Sequence, residues 1–256
     1  MIELKKISAG YDGVKRIEHI DLCLAPGSFT AIIGPNGCGK TTLLRVMARL
    51  LPPYDGEIKI GGKPAAEYEP KAFARLVSIL PQSRDIPDIT VEGLAAHGRF
   101  PYLGFPRRLG PQDRDAVERA LEITGAAAYR SRYLRQLSGG ERQKAYIAMI
   151  VAQDAETVLL DEPTTHLDIG RRFEVLELAH LLHRAGKTVV LVLHDIAEAL
   201  EWCPEIVVME KGHIRAQGSP ETVFDSGTLD QVFGVRSQRI GGHYFFQALS
   251  SSSKSS

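Results

Sequence analysis

The sequence predicts an α/β fold with a mainly parallel sheet, and uninterrupted apolar runs are the main observation behind this prediction. Residues 158–160 and 189–193 contain only valine and leucine, which is typical of strands buried on both faces of a parallel sheet. Residues 29–33 form a similar short run that ends at a glycine. Residues 41–51 carry leucine and methionine at helical spacing, and the prolines at 52 and 53 are expected to end that helix. Residues 170–185 predict a further helix. We therefore expect helices on both faces of the sheet.

Further strands are predicted toward both ends of the chain. Residues 20–24 and 56–62 alternate apolar and polar side chains, the pattern of strands with one buried face. Residues 206–209 and 213–217 are separated by a short turn that ends in glycine, and they predict a hairpin.

The middle of the chain has a different character. From residue 83 to residue 154, proline-punctuated loops are followed by helical stretches, of which residues 114–124 are the clearest. This predicts an inserted helical lobe. Residues 250–256 are six serines and one lysine, which predicts a disordered tail.

Composition excludes several classes of protein. Lysine plus arginine equals aspartate plus glutamate at 31 each, so no overall field attracts nucleic acid, and we expect no nucleic-acid partner. Cys23, Cys38 and Cys203 are too few and too scattered for a disulfide framework or a zinc site, which suits a reducing cytosol. No run of about 18 apolar residues occurs, so any membrane role is expected to come through another chain.

One motif carries the chemistry of a phosphate-binding loop. It lies between the predicted strand at 29–33 and the predicted helix at 41–51, and matches G-x-x-x-x-G-K-[ST] in full. Glycines let backbone N–H groups approach phosphate, and the following helix directs its positive end at the same anion. Lys40 is expected to reach the outer phosphates of ATP, and the Thr41 hydroxyl to bind Mg²⁺. The predicted ATP-binding loop, called the P-loop below, consists of Gly34, Pro35, Asn36, Gly37, Cys38, Gly39, Lys40, Thr41 and Thr42.

Two carboxylates follow the buried run at 158–160. Phosphoryl transfer needs one group beside the metal and one beside the attacking water, so we assign the Mg²⁺ role to Asp161 and the general-base role to Glu162. A helix N-cap is the alternative explanation for acids after a strand. The P-loop elsewhere in the chain favours the catalytic interpretation.

A second anion-binding helix start is predicted about twenty residues before Asp161. Ser138, Gly139, Gly140 and Glu141 precede a predicted helix at 143–153 and offer hydroxyl and backbone donors. An ordinary capping turn would explain the same residues. One nucleotide does not need two anion-binding helix starts. We therefore expect this second start to bind the nucleotide of a second subunit.

Together these motifs resemble the nucleotide-binding subunits of ATP-binding-cassette transporters, over about residues 2–235. The resemblance implies that Tyr11 stacks on adenine and that Gln82 binds Mg²⁺ and contacts the membrane partner. It also implies that Asp168, in the segment 165–168, couples the two active sites of a dimer, and that His194 contacts the terminal phosphate as a catalytic residue. Taken singly, Tyr11 could be a surface aromatic, Gln82 a solvated amide and His194 a core histidine.

The resemblance implies a P-loop NTPase core with a mainly parallel sheet and helices on both faces, an antiparallel β subdomain and an inserted helical subdomain. It predicts one domain over residues 1–249, with the core at about 1–83 and 155–235 and the helical subdomain at about 84–154.

The function implied is that of an ATPase subunit, with ATP and Mg²⁺ as cofactors. The stretches 90–101, 147–153 and 161–169 resemble the importer branch that handles iron–siderophore complexes, haem or cobalamin. The expected partners are a second copy of the chain and a polytopic membrane permease, with a substrate-binding protein acting indirectly, at the cytoplasmic face of the membrane. Another cargo, export, or a non-transport role on nucleic acid or ribosomes is the alternative.

Overall fold

The computed structural model describes residues 1–82 and 85–248. The strands, in chain order, are β1 (Ile2–Tyr11), β2 (Val14–Leu24), β3 (Phe29–Ile33), β4 (Asp55–Ile60), β5 (Lys63–Pro64), β6 (Val77–Leu80), β7 (Thr157–Asp161), β8 (Thr188–Val192), β9 (Glu205–Glu210), β10 (His213–Gly218), β11 (Val235–Ile240) and β12 (His243–Ala248). The α-helices are α1 (Lys40–Met47), α2 (Pro70–Leu76), α3 (Val91–His97), α4 (Pro111–Ile123), α5 (Gly139–Gln153), α6 (Ile169–Arg184), α7 (Ile196–Trp202), α8 (Pro220–Asp225) and α9 (Thr228–Phe233).

The chain divides into two compact units. The helical unit contains Met1–Ile2, Leu24–Ser28 and Lys59–Leu191. The P-loop unit contains Glu3–Cys23, Phe29–Ile58 and the described residues from Val192 to Ala248. The predicted tail at 250–256 lies outside the described residues, and the predicted domain limits remain a prediction.

The P-loop unit is built around β3, every residue of which is buried. β3 pairs in parallel with β9, which pairs antiparallel with β10, so the order is β10-β9-β3. The predicted hairpin at 206–217 is confirmed. Its turn places Lys211 and Gly212 at φ 48° and 84°, both left-handed, as the tight two-residue turn between antiparallel strands requires.

Around β3 the P-loop unit adds a second sheet, of order β2-β1-β4, and the helix α1. The prediction that α1 runs to the prolines at 52 and 53 was too long. Arg49 adopts a left-handed φ of 56°, and the Leu50 N–H donates to Arg45 O at 2.8 Å, so the helix closes with a local backbone motif before it reaches the prolines.

The segment after β10 adds structure that the sequence pattern did not predict. α8 packs on β9 and β10, and α9 packs on β9 and β11. β11 and β12 form an antiparallel hairpin in register from Val235↔Ala248 to Ile240↔His243. Most side chains of this hairpin are exposed, so no apolar run marked it in the sequence.

The helical unit contains the strands of order β8-β7-β6. β6 and β7 pair in parallel from Val77↔Thr157 to Leu80↔Leu160, and every residue of β7 and β8 is buried. The predicted buried strands at 158–160 and 189–193 are therefore confirmed, and the first of them is parallel to its neighbour β6. α6 follows β7, and its bounds differ by one residue from the prediction at each end.

The predicted helical lobe corresponds to α3, α4 and α5, which pack on one another. Buried Arg99 links this lobe internally: its Nη1 donates to Ala152 O at 2.7 Å, and its Nε lies 3.1 Å from Asp113 Oδ1. Helix α5 begins at Gly139, four residues before the predicted start, because Ser138 caps it.

Candidate nucleotide-binding site

The P-loop leaves β3 at Gly34 and enters α1 at Lys40, one residue before the predicted start of the helix. The N-cap residue of α1 is Gly39, which has no side chain to cap the helix. The N–H groups of a first helical turn have no partner within the helix, so this end of α1 is suited to an anion.

Two P-loop glycines have no room for a side chain. A Cβ on Gly34 would lie 2.2 Å from Met209 O, in β9. A Cβ on Gly39 would lie 2.5 Å from Ile17 Cγ2, and Gly39 has a left-handed φ of 107°. Close contact with neighbouring strands thus requires glycine at both places.

Lys40 is held inside the loop that it follows. Its side chain is 5% exposed, and its Nζ donates to Gly34 O at 2.8 Å and to Pro35 O at 3.1 Å. The loop carbonyls therefore hold a desolvated cation at the start of α1, where its charge adds to that of the helix end.

Cys38 is buried beneath the loop. Burial raises the pKa of the Cys38 thiol above its ordinary value, although the nearby Lys40 charge opposes this. The Cys38 carbonyl accepts a hydrogen bond from Gly212 N at 3.0 Å, which ties the loop to the β9–β10 turn. The Cys38 side chain therefore packs as a small buried group beneath the loop.

Tyr11 and His194 also lie in the P-loop unit. Arg45, in α1, donates from Nη1 to Tyr11 Oη at 3.2 Å, which couples the tyrosine at the end of β1 to the helix after the P-loop. His194 is exposed, and the preceding Leu193 donates its N–H to Ile32 O at 3.2 Å. His194 therefore lies near the same end of β3 as the P-loop.

The predicted acidic residues lie in the helical unit. Asp161 is the last residue of β7 and is 2% exposed. Glu162 follows it in a left-handed conformation, with φ 52°. Its Oε2 accepts hydrogen bonds from Gln82 Nε2 and, at 3.3 Å, from Thr165 Oγ1. The structure thus brings Gln82 and Glu162 together across 80 positions of sequence.

The donor set predicted for Mg²⁺ fits that ion chemically. Thr41, Gln82 and Asp161 offer a hydroxyl, an amide and a carboxylate oxygen, and Mg²⁺ prefers oxygen ligands and typically binds one or two carboxylates together with substrate phosphates. The assignment remains a prediction.

The second predicted anion site is the N-terminus of α5. Ser138 and Glu141 form a reciprocal capping box: the Ser138 N–H donates to Glu141 Oε2 at 2.8 Å, and the Glu141 N–H donates to Ser138 Oγ at 3.4 Å. The hydrogen bond from the Ser138 backbone lowers the pKa of the Glu141 carboxyl. The capping turn is therefore real, and it leaves the exposed Ser138 and Gly139 at the surface.

Asp168 is the N-cap of α6. Its Oδ1 accepts the N–H of Arg171 at 3.0 Å, and its Oδ2 lies 3.2 Å from Arg171 Nε. The contacts that Arg171 and Thr165 make with Asp168 and Glu162 were not predicted from the sequence. Only the spacing of Asp168 and Arg171, three residues apart at a helix start, carried a signal.

A cleft of about 550 Å³ lies in the helical unit. Gln82, Glu162 and Gly139, the first residue of α5, are among the residues that line it. The lining residues are Gln82, Ile86, Gly139, Arg142, Gln143, Tyr146, Glu162, Thr165 and His166.

A glycine loop between a buried strand and a helix, with a lysine held inside the loop, defines a P-loop nucleotide-binding protein. The chain belongs to the ABC transporter family, whose family model matches residues 17–165. The predicted resemblance to nucleotide-binding subunits of the iron–siderophore importer branch is confirmed.

Two curated relatives illustrate the match. The ferric enterobactin transport ATP-binding protein of Escherichia coli is 38% identical over 234 residues, which cover 91% of this chain and 86% of that protein. A petrobactin import ATP-binding protein of Bacillus anthracis is 39% identical over 239 residues, which cover 93% of this chain and 88% of that protein.

Solved structures share the fold. A dimeric bacterial ABC transporter cassette superposes with a TM-score of 0.77 at 25% identity, covering 86% of this chain and 99% of that one. The protein CbiO1 of Clostridium perfringens, part of the ABC transporter complex CbiONQ, gives a TM-score of 0.77 at 26% identity, covering 90% and 94%. The predicted P-loop NTPase fold is thereby confirmed. Within residues 1–82 and 85–248, no helix is long and apolar enough to cross a bilayer.

Proposed function

We propose that this chain is the ATP-hydrolysing subunit of an importer, and that two copies bind ATP head to tail. Each nucleotide would lie between the P-loop of one copy and Ser138–Glu141 of the other. Asp168 would couple the two sites, and each copy would act on a polytopic membrane permease from the cytoplasmic face of the membrane.

The observation that supports this most strongly is the presence of two anion-binding helix starts in one chain. α1 begins after the P-loop and α5 begins after Ser138, in separate units. A single triphosphate chain does not require both. A second copy of the chain would supply the second anion-binding helix start, and no further protein would be needed.

Hydrolysis would use Glu162 as general base. The hydrogen bonds from Gln82 and Thr165 orient its carboxylate as an acceptor, so Glu162 can take a proton from the attacking water. Lys40 and His194 would contact the outer phosphates, and Tyr11 would stack on adenine. Thr41, Asp161 and Gln82 would hold Mg²⁺, which when bound to ATP neutralises charge on the phosphate oxygens.

Gln82 is the residue through which we expect the permease to influence hydrolysis. It is exposed, yet it donates to the proposed base. A partner that moves Gln82 would release or restore its hydrogen bond to Glu162.

The substitution Glu162→Gln tests the base assignment. We expect ATP to remain bound while turnover falls by about 10²–10⁴-fold, the usual contribution of a positioned base. The matched control is Glu156→Gln, an exposed glutamate just before the same strand β7. Steady-state phosphate release measures both variants, and full activity in Glu162→Gln would remove Glu162 from the base role.

The cargo proposed is an iron–siderophore complex. The relatives named above are a ferric enterobactin transport protein and a petrobactin import protein. The cargo does not touch the ATPase, so the test is functional: the chain is reconstituted with its permease and substrate-binding protein. We expect ferric siderophores to stimulate ATP hydrolysis. Stimulation by haem or cobalamin alone would show that the proposed cargo is wrong.

A further inference from the structure

One arginine connects the start of α5 to the start of α6. Arg171, in the first turn of α6, donates from Nη1 to Ser138 Oγ at 3.2 Å. The same side chain pairs with Asp168 through Nε, at 3.2 Å, while its backbone N–H donates to the other Asp168 oxygen. A single residue therefore touches both the serine and the aspartate to which the proposed dimer assigns roles toward the second copy.

Gly140 provides the space that this arrangement needs. A Cβ on Gly140 would lie 1.9 Å from Arg171 Nη1 and 2.5 Å from Arg171 Cδ. The arginine side chain thus lies directly against the backbone of the first turn of α5. Any larger residue at position 140 would displace the arginine from Ser138.

The contact determines how the Ser138 hydroxyl can act. A hydroxyl has one O–H donor and two acceptor lone pairs. Glu141 N–H and Arg171 Nη1 both donate to Ser138 Oγ, at 3.4 and 3.2 Å, and so occupy both acceptor positions. The remaining role of the hydroxyl is that of donor. Within the chain its O–H reaches the Glu141 carboxylate and helps the Ser138 N–H to lower the pKa of that carboxyl, and a helix start offers the same donor to a bound anion.

We propose that Arg171 is a positioning residue for the shared nucleotide site. Its ion pair with Asp168 holds the guanidinium in place, and its Nη1 keeps the Ser138 hydroxyl oriented as a donor toward the terminal phosphate of ATP bound by a second copy. This inference rests on the proposed function, because only the proposed dimer brings a terminal phosphate of ATP to the Ser138 hydroxyl. Arg171 itself need not touch the nucleotide.

Fold stability is a poor alternative explanation for the contact. The side chain of Arg171 is 40% exposed and that of Asp168 is 67% exposed, and exposed ion pairs contribute little to stability. We therefore expect Arg171→Gln to unfold at the same temperature as the control variant Arg184→Gln. Arg184 is an exposed arginine at the last position of the same helix, so it matches charge and element.

The experiment measures kcat and KM for ATP in Arg171→Gln, Arg171→Lys and Arg184→Gln. We expect kcat/KM to fall about tenfold in Arg171→Gln, the usual effect of losing one charge-assisted hydrogen bond. Arg171→Lys should recover part of the loss, because lysine keeps a charged donor. Binding of a fluorescent ATP analogue to the P-loop of the isolated monomer should be unchanged in all three variants.

The deciding comparison uses the Ser138→Ala background. If Arg171 acts through the hydroxyl, adding Arg171→Gln to Ser138→Ala causes no further loss of kcat/KM. A further tenfold loss in that background, or Arg171→Gln activity equal to that of Arg184→Gln, would overturn the inference while leaving the proposed function intact. Absence of ATP hydrolysis by the unsubstituted protein would instead overturn the proposed function and this inference with it.

Discussion

The charged groups to which we assign roles toward ATP are held by the backbone or by neighbouring side chains. Loop carbonyls hold the Lys40 ammonium, Gln82 and Thr165 orient the Glu162 carboxylate, and the Ser138 N–H holds the Glu141 carboxylate. The residue types and their spacing predicted which residues these are. The partners of Lys40 and Glu141 lie within six residues along the chain. Gln82 lies 80 positions from Glu162, so a pattern along the chain could not reveal that contact.

Gly39 offers a test at this scale. We expect Gly39→Ala to destabilise the chain by about 1–3 kcal/mol, because alanine is strained at φ 107° and its Cβ would meet Ile17 and Arg16 O. Urea unfolding measures the change.

The matched control for Gly39→Ala is Gly170→Ala. Gly170 lies in α6, where an added Cβ would meet nothing nearer than 3.6 Å. This variant should be as stable as the parent or up to about 1 kcal/mol more stable. Equal stability of the two variants would mean that the backbone of the P-loop is not held against β2.

At the scale of elements, the helix starts matter most. The sequence predicted both anion-binding starts, but it placed the beginning of α5 four residues late. Glycines lower helix propensity, so Gly139 and Gly140 were read as part of a loop, whereas the Ser138–Glu141 capping box extends the helix through them. The predicted end of α1 was too late because the prolines at 52 and 53 are a clear helix stop in the sequence, whereas the left-handed conformation of Arg49 leaves no sequence signal.

The capping box predicts a pH effect. The pKa of Glu141 is lowered in the folded chain, so the contribution of its ionised form to stability is present above the ordinary glutamate pKa and is lost as the pH falls through the lowered value. We expect Glu141→Gln to differ most from the parent in unfolding free energy at neutral pH.

The difference between Glu141→Gln and the parent should vanish in acid, where the parent carboxyl is protonated. Urea unfolding from pH 3 to pH 7 measures it, and NMR titration of the carboxyl gives the pKa directly. A Glu141 pKa at or above the ordinary value would show that the Ser138 N–H does not hold the carboxylate in solution.

At the scale of the whole molecule, the residues to which we assign roles in ATP binding and hydrolysis are distributed over the two units. The P-loop unit carries the P-loop, Tyr11 and His194, and the helical unit carries Gln82, Asp161, Glu162 and the start of α5. The sequence predicted the α/β architecture because buried parallel strands leave uninterrupted apolar runs. It did not predict the β11–β12 hairpin, because the exposed strands of that hairpin leave no such run.

The central claim is that ATP joins two copies of this chain, and light scattering of the Glu162→Gln variant tests it most directly. This variant should retain ATP, so we predict a monomer without nucleotide and a dimer of twice the mass when ATP and Mg²⁺ are added. Adding Ser138→Ala should weaken that dimer, because the start of α5 then lacks its hydroxyl donor to ATP. A Glu162→Gln chain that binds ATP to saturation and keeps the mass of a monomer would contradict the account.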